Sequence, residues 1–597
     1  MSNPITPKLF LDGEDFLPNH GYSARVEQSL GGHSSFSISF PANATETYAG
    51  ALMENTIGFI GKRMSISLDD GAMEYTGLVT SVDLQKGMGA GGIMVVSGQG
   101  PSVLLANSVQ CLSYPEGTML SQVVSATIEG HSTEILSAVM GSGTDIALPY
   151  TVQYNETDFS FLQRLCRRYG LWFYHNGQDY CIGRSGGERI EGTYGVDVTS
   201  FNLSTSLRES VPEFSGHDWM NDTLFETPSS SASPKSGHPY FDRVKQESNL
   251  NFSKKGNYDY TSGQHEFSRQ DGMDAAAKVS ALSATANMIT ASGVSGLVNL
   301  RIGDILALEG IDFSDASERH IFGSYDITKI THSFDHSGQY QNRFEAVTAD
   351  TEHPPSSDFS AAPSAVDQRG LVIDNIDPEG LGRVKVQFPW QKQISQSTPW
   401  IKMSTPYGGS GRGFYFIPEK GEEVLVGFEG MNPEKPYVVG GGYSASAKSG
   451  FADSENNIKA IRTRSGHTIE LNDTEGGEMI TINDKEGNSI HINTSKGKMV
   501  FTANGDMEFN AKNVRFNVQE DMDLEIGGNK TENISGKIEI SAENSIENVD
   551  KSKRIHIGKK LEQVSGELIV KTTQGKMLFD GKGKVALQSK EKVSYGR

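Results

Sequence analysis

Cysteine is scarce in this chain. Cys111, Cys166 and Cys181 are the whole complement, too few for a disulfide scaffold and odd in number, so they read as buried small hydrophobes in a reducing compartment. No stretch reaches the roughly 18 consecutive apolar residues of a spanning helix. The first eight residues lack the charged start and apolar run of a secretory signal. The chain is therefore expected to be made in the cytoplasm and, if it leaves the cell, to do so by a route without a cleaved peptide. Positive charge is in deficit: 53 Lys and Arg face 74 Asp and Glu, a net charge of −21. Such a balance repels phosphate backbones and anionic headgroups, which counts against nucleic acid and against stable membrane anchoring. Proline is modest at 21 residues, whereas glycine reaches 66 with no G-X-Y period, which excludes collagen and favours a turn-rich β protein.

With 597 residues the chain is too long for one core and should divide into roughly three to five domains. Two stretches read as linkers: residues 349–367, with Pro354, Pro355 and Pro363, and the small, polar residues 444–457. A polar run at 227–237 reads as a surface loop. Before the first linker, Phe36, Ile38 and Phe40 alternate with serines, as do Met64, Ile66 and Leu68, the period of half-buried strands. After residues 155–158, Phe161, Leu162, Leu165, Cys166 and Tyr169 form one apolar helical stripe, with Gly170 as its stop. Leu171 to Tyr174 and Tyr180 to Ile182 read as a hairpin turning at Asn176-Gly177. Further helices are expected at 118–128 and 274–286.

Between the linkers, five short strands are expected at 371–374, 382–388, 400–404, 414–417 and 423–428, with 437–439 extending the last. That is the density of a small Greek-key barrel of the OB type. Beyond 458 the pattern changes to pairs of apolar residues two apart. They include Ile469/Leu471, Ile480/Ile482, Ile490/Ile492, Met507/Phe509, Met522/Leu524, Ile538/Ile540, Ile555/Ile557, Leu568/Val570 and Val585/Leu587. Each unit reads as one short strand with a dry and a wet face. Charges such as Glu525, Lys537, Glu539 and Lys553 fall on the wet side.

A single layer of such strands has nothing on its own chain to cover its dry face, and its edges stay open. Either the chain coils on itself as a solenoid, or three chains wrap into a β-prism. A single-chain β-helix generally needs about 20 or more residues per coil, whereas units of about 9 supply one face each. Three chains are therefore expected to close each layer. About fifteen strands at about 4.8 Å would give a stiff needle of about 70 Å.

Several segments carry a family resemblance. Asp377 to Trp390 (DPEGLGRVKVQFPW), Pro399 to Tyr407 (PWIKMSTPY), Ile417 to Val424 (IPEKGEEV) and Asn432 to Pro436 (NPEKP) resemble the signature of VgrG spike proteins of type VI secretion systems. Arg464 to Leu471 is similar to the start of that family's needle, and Gln153 to Phe159 with Gly170 to Tyr174 to its hub. Gln391 departs from the pattern, which often has Asp after Phe-Pro-Trp. The resemblance implies a mainly β fold with minor α: β-barrel hub domains, an OB-fold neck and a C-terminal trimeric, intertwined β-helix or β-prism needle. The corresponding segments are 1–350 for the α+β hub, 367–443 for the OB domain and 458–597 for the needle. It further implies a homotrimeric puncturing spike, similar to the fused hub and spike of contractile phage tails. Such a spike caps a tube of Hcp rings, contacts baseplate proteins and carries a PAAR-repeat protein or effectors at its tip. Sheath contraction would export it into the medium or a target cell.

Enzyme signatures are missing. There is no GxxxxGK[ST], His265-Glu266 lacks the second His of a zinc-protease helix, and Gly408 to Arg412 lacks the last Gly of a nucleophile elbow. Acid pairs such as Glu422/Glu423 are expected by chance in so acidic a chain. The strand repeat runs to Val585/Leu587, so residues 588–597 leave no room for a catalytic extension. For a metal, no His-x-His lies near the C-terminus; His491 and His556 should point outward, and His332 and His336 read as surface residues. The basic residues Arg383, Lys385, Lys402 and Arg412 of the OB-like segment are offset by acids, which argues against single-strand binding. The expectation is thus no enzyme, no cofactor and no metal, with Leu587, Val593 and Tyr595 near the partner-binding tip. Two rival readings remain: a trimeric tailspike that degrades surface polysaccharide, and a baseplate spike of a phage-derived contractile particle.

Overall fold

In a computed structural model the chain is described except for residues 1–3, 46–55, 87–90, 133, 186, 210–212, 219–221, 228–235, 255, 260–269, 312–318, 350, 592 and 595–597. Two compact units result, Met1–Ser454 and Glu455–Arg597. The zinc-protease-like His265-Glu266 and most of the 227–237 run lie outside the described residues.

The first unit is built on a 13-stranded sheet of mainly antiparallel pairs. Ser35–Pro41 shows why the alternation was legible: Phe36, Ile38 and Phe40 are at most 2% exposed while the serines between them face outward. This strand pairs with Ser23–Ser29 and Gly92–Gln99, and Arg63–Leu68 pairs with Met73–Lys86. Together they enclose one core that includes Met64, Ile66, Leu68, Tyr75 and Val96. The 17-residue strand Arg319–Asp335 ties that core to a second one. One stretch of it pairs with Ser23–Ser29, another with Ile305–Ile311, and Tyr340–Thr348 runs along much of its length. Register shifts at Ile327/Lys329 and Leu308/Glu309 let a strand of that length bend from one sheet region to the next. His332 is on its inner face and 0% exposed, which overturns the surface placement; alternation along a strand buried between two neighbours carries it inward. His336, in the turn, is exposed.

A helical subdomain sits on the sheet. Helix Asp158–Arg168 starts where Thr157 Oγ1 accepts the Ser160 N–H at 3.2 Å, an N-cap bond. Phe161, Leu162, Leu165 and Cys166 are buried against Leu120, Val123 and Val124 of helix Leu120–Ile128. Gly170 ends the helix at φ +65°, in the left-handed region that a side chain disfavours. Phe173–His175 and Tyr180–Ile182 form the expected hairpin, with four residues rather than two in its turn. Cys166 and Cys181 are buried, whereas Cys111 is half-buried and its thiol lies 3.3 Å from Asn155 Oδ1. Cys111 therefore departs from the buried reading.

The OB-like segment forms a four-stranded sheet in the order Lys385–Gln387, Gln368–Asp374, Glu423–Phe428, Pro436–Gly441. Val372, Val384, Val386, Phe388, Ile401, Val424, Val426 and Val438 fill its core. Expected strand 400–404 is reduced to two isolated bridges, at Ile401 and Met403. Expected strand 414–417 does not form. Its Phe414, Tyr415 and Phe416 are 50–75% exposed beside the short Gly408–Gly409 and Arg412–Gly413 hairpin; this aromatic run is not matched by a neighbouring strand.

The second unit starts as a five-stranded antiparallel meander: Ile458–Arg462, Thr468–Asn472, Met479–Asn483, Ser489–Asn493 and Lys498–Thr502. Its four turns carry Gly466, Gly476, Gly487 and Gly497 at positive φ, which returns the chain each time. The apolar pairs stack across it: Ile469 opposite Ile482, Leu471 opposite Ile480, Ile480 opposite Ile492. After Thr502 the described residues form no strand within the chain. The expected strand per unit is thus not made by one copy from Met507/Phe509 to Val585/Leu587. A strand needs a neighbour for its N–H and C=O groups, and a lone chain offers none there.

Candidate functional site: an open strand array and the hub–neck seam

The C-terminal unit presents its apolar alternation to solvent. Ile469, Ile480 and Ile482 are 37–44% exposed even inside the meander, and Ile538, Ile540 and Leu568 are 58–83% exposed beyond it. Large apolar side chains left exposed in this number mark an association face. Lys537 bonds Glu539 at 2.7 Å, and Lys553 pairs with Glu547; these exposed pairs keep the wet face soluble and contribute little stability. Leu587 and Val593 are exposed, 68% and 41% respectively, and Tyr595 lies outside the described residues.

A second arrangement, without a role in the sequence reading, joins the 153–170 region to the OB-like domain. Arg164 Nε and Nη2 donate to the two Glu156 carboxylate oxygens at 2.8 and 2.7 Å. Its Nη1 reaches Glu434 Oε1 at 3.2 Å, and Arg168 Nη2 donates to Glu434 Oε2 at 2.8 Å. The Val152 N–H also donates to Glu434, at 3.2 Å. Glu434 and both arginines are at most 7% exposed. Burial works against the Arg164 charge, but Glu434 and Glu156 outweigh it and hold its pKa above the ordinary value. Neighbouring Lys435 is pushed down to about 7 by burial, with Glu429 and Glu434 opposing. Gln391 is fully buried in the same seam, and its Nε2 donates to Ser113 Oγ at 2.9 Å and to Tyr150 Oη at 3.0 Å. Trp390 packs edge-on against Tyr154. Nothing in the sequence of the Asn432 to Pro436 and Gln153 to Phe159 motifs sets their acids apart from the many others in the chain.

Ser34 Oγ lies 2.8 Å from His175 Nδ1, with the Tyr75 hydroxyl donating to the serine at 3.2 Å. Ser34 and His175 are 1% exposed, so the pair is closed to a substrate, and burial pushes the imidazole down to about 4. Of the acid pair, Glu423 bridges to Arg369 and Glu422 accepts the Glu419 N–H. Among the described residues no helix is long and apolar enough to cross a membrane.

The sheet-built core with an OB domain attached is the arrangement on which the comparisons with known proteins converge. The model of the phage tail baseplate hub family matches residues 53–338, and that of the type VI secretion system/phage-baseplate injector OB domain matches residues 368–443. Among curated proteins, the chain is 23% identical over 336 residues to the type VI secretion system spike protein VgrG1b of Pseudomonas aeruginosa, covering 50% of this chain and 42% of that one. It is 24% identical over 335 residues to VgrG1a of the same organism, covering 50% and 48%. The matched region thus spans less than half the length of either relative. In fold, the chain is similar to a chain of the Francisella PdpA–VgrG complex in its lidded form, at a TM-score of 0.51, 10% identity, and 83% and 80% coverage. The chain is thus similar to VgrG spike proteins of type VI secretion systems, and it carries matches to a phage-type baseplate hub and to an injector OB domain.

Proposed function

We propose that this chain acts as one of three identical subunits in a non-enzymatic puncturing spike. Residues 1–350 form the hub that seats on a tube of Hcp rings, 367–443 the neck, and 458–597 the needle, a three-chain β-prism. The needle transmits axial force, and its end, near Leu587, Val593 and Tyr595, carries a PAAR-repeat protein or effectors. Contraction of the apparatus then carries the assembly out of the producing cell. One observation carries this reading: the apolar pairs two residues apart recur beyond Thr502 while a single chain leaves them without strand partners and exposed. Sister copies supply both the missing backbone partners and the missing dry face.

The solution mass tests it. Three times 64.8 kDa is expected from light scattering of the purified chain; a monomer stable at micromolar concentration would refute it. The kinship with phage baseplate hubs also fits a phage-derived contractile particle, mechanically the same object, and the neighbouring genes decide between the two.

A further inference from the structure

The seam between hub and neck holds more buried charge than a passive contact needs. Two guanidinium groups and two carboxylates balance there: Arg164 and Arg168 on one helix, Glu156 just before it, and Glu434 from the OB domain. Glu434 contributes the only residue of the four from the neck, and both of its oxygens are used on the hub. Burying a carboxylate is costly unless each oxygen is paired, so Glu434 has one favourable position, in the fork made by Arg164 and Arg168. Hydrophobic contact alone would tolerate sliding; this geometry does not.

The same helix end also holds the proline-rich segment that joins the two domains. Arg168 Nε donates to the Ala361 carbonyl at 2.8 Å, Arg167 meets Asp358 at 3.4 Å, and His353 Nδ1 lies 2.8 Å from the Gly170 carbonyl oxygen. Phe359 packs against Phe214 and Tyr258, with ring centroids 5.2 and 5.0 Å away. Arg168 therefore grips the neck with one nitrogen and the connecting segment with another. The sequence presents residues 349–367 as a loose linker, but in the fold they form a strap.

We propose that Glu434 is a positioning residue that locks neck to hub through Arg164 and Arg168, so that the two domains and the strap open only as one unit. The inference rests on the geometry of a single chain and stands whether or not the spike reading holds. It gives the Asn432 to Pro436 motif a purpose: Asn432 Oδ1 accepts the Glu434 N–H at 3.0 Å and sets the turn that aims the carboxylate inward.

The experiment follows chymotryptic cleavage of the full-length chain after Phe359, in native buffer, for wild type, Glu434→Gln, Arg168→Gln and the double variant. Each single variant is expected to raise the cleavage rate at least tenfold, because each strands a buried charge and loosens Arg168. The double variant restores charge balance and is expected to fall back toward the wild-type rate, a rescue that simple loss of packing would not produce. Glu434→Ala, if it folds, should be cleaved faster still; should it not fold, the glutamine series decides alone. Wild-type rates in the single variants, or effects that merely add in the double variant, would overturn the proposal. Loss of the trimer with the lock intact would refute the spike reading and leave this one standing.

Discussion

The hub and the C-terminal unit use the same alternation of apolar and polar residues and reach opposite ends. Phe36, Ile38 and Phe40 are at most 2% exposed, whereas Ile538 and Ile540 are 58% and 83% exposed. In the hub every such strand has neighbours from its own chain, brought back by hairpins or by the long Arg319–Asp335 strand. In the C-terminal unit self-pairing stops at Thr502. A period of two specifies a face, then, and leaves open whose residues cover it.

The contrast can be broken most sharply from the C-terminal side. Ile538→Asp together with Ile540→Asp places charges on a face that three copies would bury. Association should weaken at least tenfold in sedimentation, while the melting of the hub stays unchanged. The reverse experiment is Phe161→Ala, at 0% exposure in the helical subdomain. It should cost about 3–5 kcal/mol in urea unfolding, independent of protein concentration.

A smaller separation comes from pH. Burial holds the His175 pKa near 4, and His332 is lowered to about 3 by burial and the nearby Arg301 charge. The unfolded chain takes up these protons near pH 6.5 and the folded hub does not. Their stabilising contribution is therefore full above pH 6.5 and is lost as pH falls through 4 toward 3. His175→Gln should flatten part of that slope in urea midpoints read between pH 7 and 4. Lys435 works at the other end: with its folded pKa near 7, stability rises as pH goes from 7 to 10.5, and Lys435→Met should remove that rise. The smallest effect is expected from Thr157→Ala, which removes an N-cap bond worth about 1 kcal/mol in the same helix that carries Arg164 and Arg168.

Much of this was legible in the residues. The serine-spaced strands at 36–40 and 64–68, the apolar stripe of helix Asp158–Arg168 and its Gly170 stop follow from local period and capping, which depend on near neighbours alone. Strand 414–417 was misread because a short aromatic run bounded by Gly413 and Pro418 looks the same whether or not a partner strand arrives. His332 was misplaced because the strand that covers its other side, Ser23–Ser29, comes from a distant part of the chain, while only Tyr340–Thr348 is the local hairpin partner. The lock at Glu434 was invisible for the same reason: its partners are 266 and 270 residues away. Proline in residues 349–367 suggested a free linker, since composition does not report the carbonyls that Arg168 and Ser283 hold.

Amide hydrogen exchange over residues 503–591, followed on serial dilution, addresses the borrowed-partner claim most directly. Slow exchange that collapses in step with the loss of the three-chain mass is the predicted result. Slow exchange that persists in a 64.8 kDa species would show a chain that seals its own interior, and would contradict the account.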